Sequence, residues 1–274
     1  MTRYGMVIDV TKCNGCYNCF IACKDEYCEQ DHKPYSVGLP MTGQTFIEVI
    51  EKERGQYPKV KVDYVAIPCM HCDQPACADA DHKAVEQRKD GIVLVDPKKA
   101  EGNKDLVTRC PYRVISWNEE KRVAQKCTFC AHLLDRGWKE PRCVEACPTG
   151  TLVFGDLDDP SSEVAKLVAS NKTEPLSGYG MGEKVRYIGL PKAFIAGAVV
   201  FGDKDECAKG VTVILEGDGK MAATVTDGFG DFEFDGLSAG TAFTVKISAP
   251  GYSPVEIPVK TSRSVNLGDV ILTK

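Results

Sequence analysis

The chain has 274 residues, a hydrophobic fraction of 43% and a formal net charge of -5. The length allows two ordinary domains with separate cores, and the hydrophobic fraction excludes wholesale disorder. The charge gives no reason to expect nucleic acid as a partner.

In chain order, the first strand signal is Tyr4–Val10, which runs straight into a cysteine-rich stretch. Residues Thr45–Lys52 and Lys59–Ile67 alternate apolar and polar around Arg54-Gly55-Gln56-Tyr57-Pro58, which predicts a hairpin. Gly91–Val95 and Arg113–Trp117 read as further short strands. Helical periodicity is weak in this half, apart from Ser162–Ala169 with Asp159-Pro160-Ser161 as its lead-in. Asn171–Gly182 is rich in Gly, Ser, Pro and polar residues and reads as a linker. Beyond Pro191 seven apolar runs follow: Phe194–Phe201, Gly210–Leu215, Met221–Thr226, Phe232–Phe234, Phe243–Ser248, Val255–Val259 and Val265–Leu272. Gly-rich turns separate them, so an antiparallel β-sandwich of about 80 residues is expected.

Fourteen cysteines are the outlier, thirteen of them between Cys13 and Cys147. Disulfide scaffolds belong mainly to small secreted domains. The opening MTRYGMVIDV has neither a long apolar run nor a small-residue cleavage site. No stretch approaches the roughly 18 consecutive apolar residues of a membrane span. The expectation is a soluble, cytoplasmic protein with reduced thiols; export alongside a signal-bearing partner would leave no trace here.

The strongest motif is Cys13-x2-Cys16-x2-Cys19-x3-Cys23. Three closely spaced thiolates let one loop wrap an iron–sulfur cubane, and the fourth cysteine then serves another cluster, as in two-cluster bacterial ferredoxins. Zinc sites use two separated pairs instead. The reciprocal partner is Cys127-x2-Cys130-x12-Cys143-x3-Cys147-Pro148. Crossed ligation gives one cluster on Cys13, Cys16, Cys19 and Cys147, and a second on Cys23, Cys127, Cys130 and Cys143.

Between these runs stand Ile67-Pro68-Cys69-Met70-His71-Cys72-Asp73-Gln74-Pro75-Ala76-Cys77, then Gly91–Asp96 leading to Cys110-Pro111-Tyr112. With Cys127-Thr128-Phe129-Cys130, Cys143–Pro148 and Phe154–Pro160, the pattern resembles the four-cluster, ferredoxin-like subunits of the molybdopterin oxidoreductases, the dimethyl-sulfoxide reductase superfamily. The resemblance covers roughly residues 1–170. It implies an α+β, ferredoxin-like region with cross-paired cysteine groups, and electron transfer to or from a large molybdopterin-binding subunit.

Departures from that pattern are concentrated. Ala100, Asn103, Leu106 and Asp81 stand where four cysteines are expected. Under crossed pairing these four would all serve one cluster, which random loss would achieve roughly once in several hundred draws. The resemblance therefore implies three 4Fe–4S clusters, the third on Cys69, Cys72, Cys77 and Cys110. Asp81 reads as solvated or structural.

Several residues lie outside these groups. Cys28 and Cys207 read as small buried hydrophobes. His71 and His132, beside ligands, read as packing or hydrogen-bonding groups, and His32 and His82 have no constellation around them. Lys12, Lys24 and Lys126 adjoin the cysteine runs. They are either plain surface charge or cations that raise cluster potentials.

Residues 191–274 resemble the prealbumin-type, carboxypeptidase-regulatory-like sandwich. The carrying residues are Gly210-Val211-Thr212-Val213, Thr226–Phe232, Gly236-Leu237 and Gly251-Tyr252, with Gly228 and Gly230 expected in turn conformations. This module serves either for docking and covering or for ligand binding. The expected domains are 1–190, with a second cluster-binding segment inserted at about 65–112, and 191–274. A missing cluster with an added sandwich is similar to the small subunits of pyrogallol–phloroglucinol transhydroxylases within that family. That likeness implies a heterodimer whose large subunit alone carries a bis-pterin molybdenum cofactor. It also implies a reaction with no net electron flow and no catalytic residue in this chain. The alternatives are a conventional electron-transfer subunit of a molybdenum reductase or dehydrogenase, and a cysteine-rich zinc or structural module.

Overall fold

A computed structural model of the protein describes residues 2–78, 83–204 and 206–274. Asp81 and His82 lie outside the described residues. The chain divides into two compact units, Met1–Glu51 with Tyr64–Leu190, and Lys52–Asp63 with Pro191–Lys274.

In the first unit, strand β1 (Tyr4–Asp9) has a near-continuous apolar run because it has neighbours on both edges and is covered on both faces. It pairs antiparallel with β8 (Leu152–Asp156) and parallel with β9 (Val185–Ile188). Helix α1 (Asn18–Tyr27) follows the first three cysteines. The long hairpin strands β2 (Glu48–Gln56) and β3 (Lys59–Ile67) come next. Two small hairpins follow, β4 (Val85–Gln87) with β5 (Val93–Val95), and β6 (Ser116–Asn118) with β7 (Val123–Gln125). One-turn helices α2 (Leu106–Arg109), α3 (Ala131–Leu134) and α4 (Arg142–Glu145) each lie beside a cysteine. Helix α5 (Glu163–Ala169) starts at Ser162, whose Oγ accepts from the Ala165 N–H at 3.2 Å.

Residues 171–182 do more than link. The Asp73 and Gln74 N–H groups donate to the carbonyls of Gly182 and Met181 at 2.9 and 3.0 Å, and β9 then joins the central sheet. Gly and Ser content marks backbone freedom and Pro interrupts regular structure, and neither forbids docking onto another loop.

In the second unit, β10 (Ala193–Phe201), β12 (Thr212–Gly217), β13 (Lys220–Val225), β14 (Asp231–Leu237), β15 (Ala242–Ser248), β16 (Val255–Lys260) and β17 (Val265–Leu272) realise the seven expected runs. A two-residue strand, β11 (Glu206–Cys207), is added. One sheet runs β13-β12-β15-β16, and the other is built on β10 with β11, β14 and β17. Pairings within the sandwich are antiparallel except β10 with β17, which is parallel. Alternation puts Val213, Leu215, Phe243, Val245 and Ile247 into the shared core with Ile195, Val199 and Leu272. Residues of the hairpin tip belong here as well: Arg54 pairs with Asp63, and Lys61 with Asp235 at 2.7 Å. Of the two turn glycines, only Gly230 takes a left-handed conformation (φ 82°), with the Val199 carbonyl where a Cβ would sit. Gly228 has open space around it and no such need.

Candidate iron–sulfur centres

The local chain geometry explains how the cysteines converge. In three of the four Cys-x2-Cys turns the residue just before the second cysteine is left-handed, Gly15 (φ 70°), His71 (φ 44°) and Phe129 (φ 51°); in Cys16-x2-Cys19 it is Tyr17 (φ 60°), the residue just after the first cysteine. Such a turn brings two thiols to the same side. It also aims an N–H back at the first sulfur, and the His71 and Phe129 N–H groups donate to Cys69 and Cys127 Sγ, each at 3.4 Å. Only at Gly15 is the residue type suited to this φ by lacking a Cβ, and a Cβ there would meet the Tyr64 ring at 2.7 Å. On α1, Cys19 and Cys23 stand four residues apart on one helical face; Cys143 and Cys147 repeat that spacing from α4, which packs against α1.

Three groups of thiols result. Cys13, Cys16, Cys19 and Cys147 line one cavity, together with Val49, Ala66 and Leu152. Cys69, Cys72, Cys77 and Cys110 line a second, together with Val93, Tyr112, Met181 and Lys126. Cys23, Cys127, Cys130 and Cys143 form the middle group, each close enough to influence others of the set electrostatically. This group lies between the other two, since Cys143 also feels Cys19 and Cys127 also feels Cys69.

Burial pushes most of these thiols upward, with neighbouring thiolates adding to it. Cys23 and Cys72 rise to about 12, and Cys19 and Cys77 to about 11. At Cys77 the Lys126 cation opposes burial. Cys147 is the exception. Burial raises it, but the Leu152, Thr149 and Thr151 N–H groups and the Thr149 hydroxyl together hold it below the ordinary thiol value. Four crowded thiols in an apolar space ionise only around a cationic core, and a 4Fe–4S core supplies that charge, fills more room than one zinc ion, and exchanges single electrons.

The neighbouring side chains settle several expectations. His71 is fully buried; it accepts from the Val93 N–H at Nδ1 (3.0 Å) and stacks on Phe129 with centroids 3.7 Å apart. Burial, then Lys126 and Lys184, hold its imidazole neutral. This stacked pair, between the middle and third groups, had no signal in the sequence beyond its place in two matching turns. His132 bonds Glu26 Oε1 at 2.9 Å, and Arg142 reaches the same carboxylate at 3.3 Å, tying α1 to α3 and α4. His32 is not isolated, since it stacks on His132 with centroids 3.9 Å apart. Cys207 is exposed, so it is not a buried hydrophobe; Cys28 is half-buried against Met41. Ala100 and Leu106 are fully buried in an apolar cluster with Val95, Ile115 and Val123. The positions expected to carry ligands for a fourth cluster are therefore packed hydrocarbon at both of these residues.

Comparison with known proteins agrees with this geometry. The 4Fe-4S dicluster domain family matches residues 60–157, and the carboxypeptidase regulatory-like domain family matches residues 195–273. The pyrogallol hydroxytransferase small subunit of Pelobacter acidigallici is 41% identical over 99% of this chain and 100% of its own length. A tetrathionate reductase subunit of Salmonella typhimurium is 35% identical, over 70% of this chain and 75% of its own. The arsenate respiratory reductase iron–sulfur subunit of Shewanella sp. ANA-3 is 32% identical, over 68% and 96%. The chain belongs to the iron–sulfur subunits of the molybdopterin oxidoreductases. It is a 4Fe–4S protein, with a carboxypeptidase-regulatory-like sandwich at its C-terminal end. Among the described residues no helix is long and apolar enough to cross a membrane.

Proposed function

We propose that this chain is the small subunit of a phenol transhydroxylase of the pyrogallol–phloroglucinol type. It would handle electrons for a large catalytic subunit that carries the bis-pterin molybdenum cofactor. The observation that carries the reading is the likeness to the Pelobacter subunit over essentially the whole of both chains, sandwich included. Three 4Fe–4S clusters are bound, on Cys13/Cys16/Cys19/Cys147, on Cys23/Cys127/Cys130/Cys143 and on Cys69/Cys72/Cys77/Cys110. The grouping of thiols around two cavities and the interposed third set support this ligand assignment. The domains are proposed as 1–190 for the clusters and 191–274 for the sandwich, with Lys52–Asp63 packed on the latter. The complex works in the cytoplasm.

Iron and sulfide analysis tests the cofactor count, with about twelve irons per chain expected. Assay of the intact complex on trihydroxybenzenes, with and without an external electron carrier, tests the reaction. Turnover that needs the carrier stoichiometrically would replace this reading with conventional electron transfer. The similarity to tetrathionate and arsenate reductase subunits favours that second reading for the cluster region alone.

A further inference from the structure

Lys126 is 2% exposed, and among the described residues its ammonium donates only to carbonyls, those of Val93 and, at 3.1 Å, Cys127. Among the described residues no carboxylate forms an ion pair with it. The other lysines near the thiols differ. Lys184 is also buried but pairs with Asp73; Lys12 is exposed and pairs with Asp9 at 3.4 Å; Lys24 is partly buried on the carbonyls of Pro40 and Gln44 and lines neither cavity. A buried charge needs an opposite charge, because carbonyl dipoles alone do not offset its desolvation. Lys126 lines the cavity that Cys69, Cys72, Cys77 and Cys110 share, so among the described residues the anion that faces it is whatever those four thiolates hold.

We infer that Lys126 is the counter-charge of the Cys69/Cys72/Cys77/Cys110 cluster and sets its potential, making that cluster the place where an electron comes to rest. This rests on the ligand assignment proposed above. Reduction adds a negative charge to an already anionic group, and a fixed cation beside it favours the reduced form. With hydrocarbon at Ala100 and Leu106, the electron at this cluster has no fourth cluster on those positions to move to. Lys126 is a positioning group for charge and takes no part in chemistry on substrate.

The test uses the purified two-subunit complex as wild type, Lys126→Gln, Lys126→Arg and Lys12→Gln, each titrated electrochemically with the clusters followed by electron paramagnetic resonance. The third cluster's signal is the one lost in Cys72→Ser. Lys126→Gln is expected to make that cluster at least tenfold harder to reduce, about 59 mV for one electron. Lys126→Arg should stay within about threefold of wild type, and Lys12→Gln should move nothing. Unchanged potentials in fully loaded Lys126→Gln overturn the inference, as does an equal shift in all three clusters. Should Lys126→Gln fail to hold iron at this site, Lys126→Arg decides: full loading with a retained potential supports the inference, and loss of iron there too overturns it in favour of packing. A wild-type iron count well below twelve would instead defeat the ligand assignment, independently of any potential.

Discussion

Leu106→Ala tests whether the fourth ligand set has become core. Leu106 is fully buried on α2 among Val95, Ala100, Ile115 and Val123, and Cys110 caps the same helix. The substitution removes three buried carbons, about 2.4 kcal/mol of transfer free energy at ~0.8 kcal/mol each. The residual cavity raises the total to about 3–5 kcal/mol, since the neighbours collapse only in part. A loss of that size, if it falls on the unfolding step, speeds unfolding by roughly a hundredfold or more. The assay is the rate at which the visible absorbance of the clusters bleaches at fixed denaturant, with iron counted before the start. The third cluster should go first, because Cys110 sits at the end of the loosened helix. Leu106→Met conserves volume and should cost less than about 1.5 kcal/mol. If Leu106→Ala bleaches at the wild-type rate, position 106 is not core and the argument fails.

Cys147→Ser should abolish the same paramagnetic signal as Cys16→Ser, and Cys143→Ser a different one; matching losses for Cys143 and Cys147 would refute crossed ligation. Iron removal by acid and chelator should unfold the first unit, whose core includes the thiol loops, while the sandwich keeps its strands because its core holds no thiol group; circular dichroism and limited proteolysis separate these outcomes. Cluster reconstitution should release protons at neutral pH and strengthen as pH rises. The iron-free thiols of Cys19, Cys23, Cys72 and Cys77 have values raised to about 11–12 and are protonated there. A pH-stat measurement with no proton release would contradict this.

The sandwich was legible nearly strand by strand, because alternating burial writes itself into sequence at period two; Phe243, Val245 and Ile247 are an example. The cysteine motifs were legible from their spacing, and which cluster each thiol serves is part of the proposed function. Helix α1 was not, and the reason is chemical. Its inward residues are Ala22, Cys23 and Tyr27 with the half-buried Cys19, while Ile21 faces solvent, so its burial is carried by thiols, a small Ala and an aromatic ring and not by a stripe of large aliphatics. Strand β9 escaped because its partner β1 lies some 180 residues earlier and the pairing is parallel. Residues 171–182 were misjudged because composition reports the freedom of a segment, whereas Gly182 and Met181 are fixed by backbone bonds to the Asp73–Gln74 loop. The His71–Phe129 stack needed two distant turns to meet, which no local pattern encodes.

The three thiol groups also bear on which way electrons would run. They follow one another, with the Cys23 group in the middle, and at positions 100 and 106 the third group is flanked by hydrocarbon. Of the twelve proposed ligands only Cys16, in the first group, is exposed. In the proposed reading, an electron that enters at the first cluster has the Lys126-stabilised third cluster as its resting place and leaves by the way it came. Such an arrangement suits a partner whose metal must be brought to one oxidation state and kept there, as hydroxyl transfer without net redox change requires. A conventional relay would need a second outlet for its electrons. Among the proposed ligands the exposed one belongs to the first group, so an external carrier and the catalytic subunit would compete for the same edge of the protein. Saturating concentrations of a soluble one-electron acceptor should then slow, not speed, the exchange between the clusters and the partner's metal.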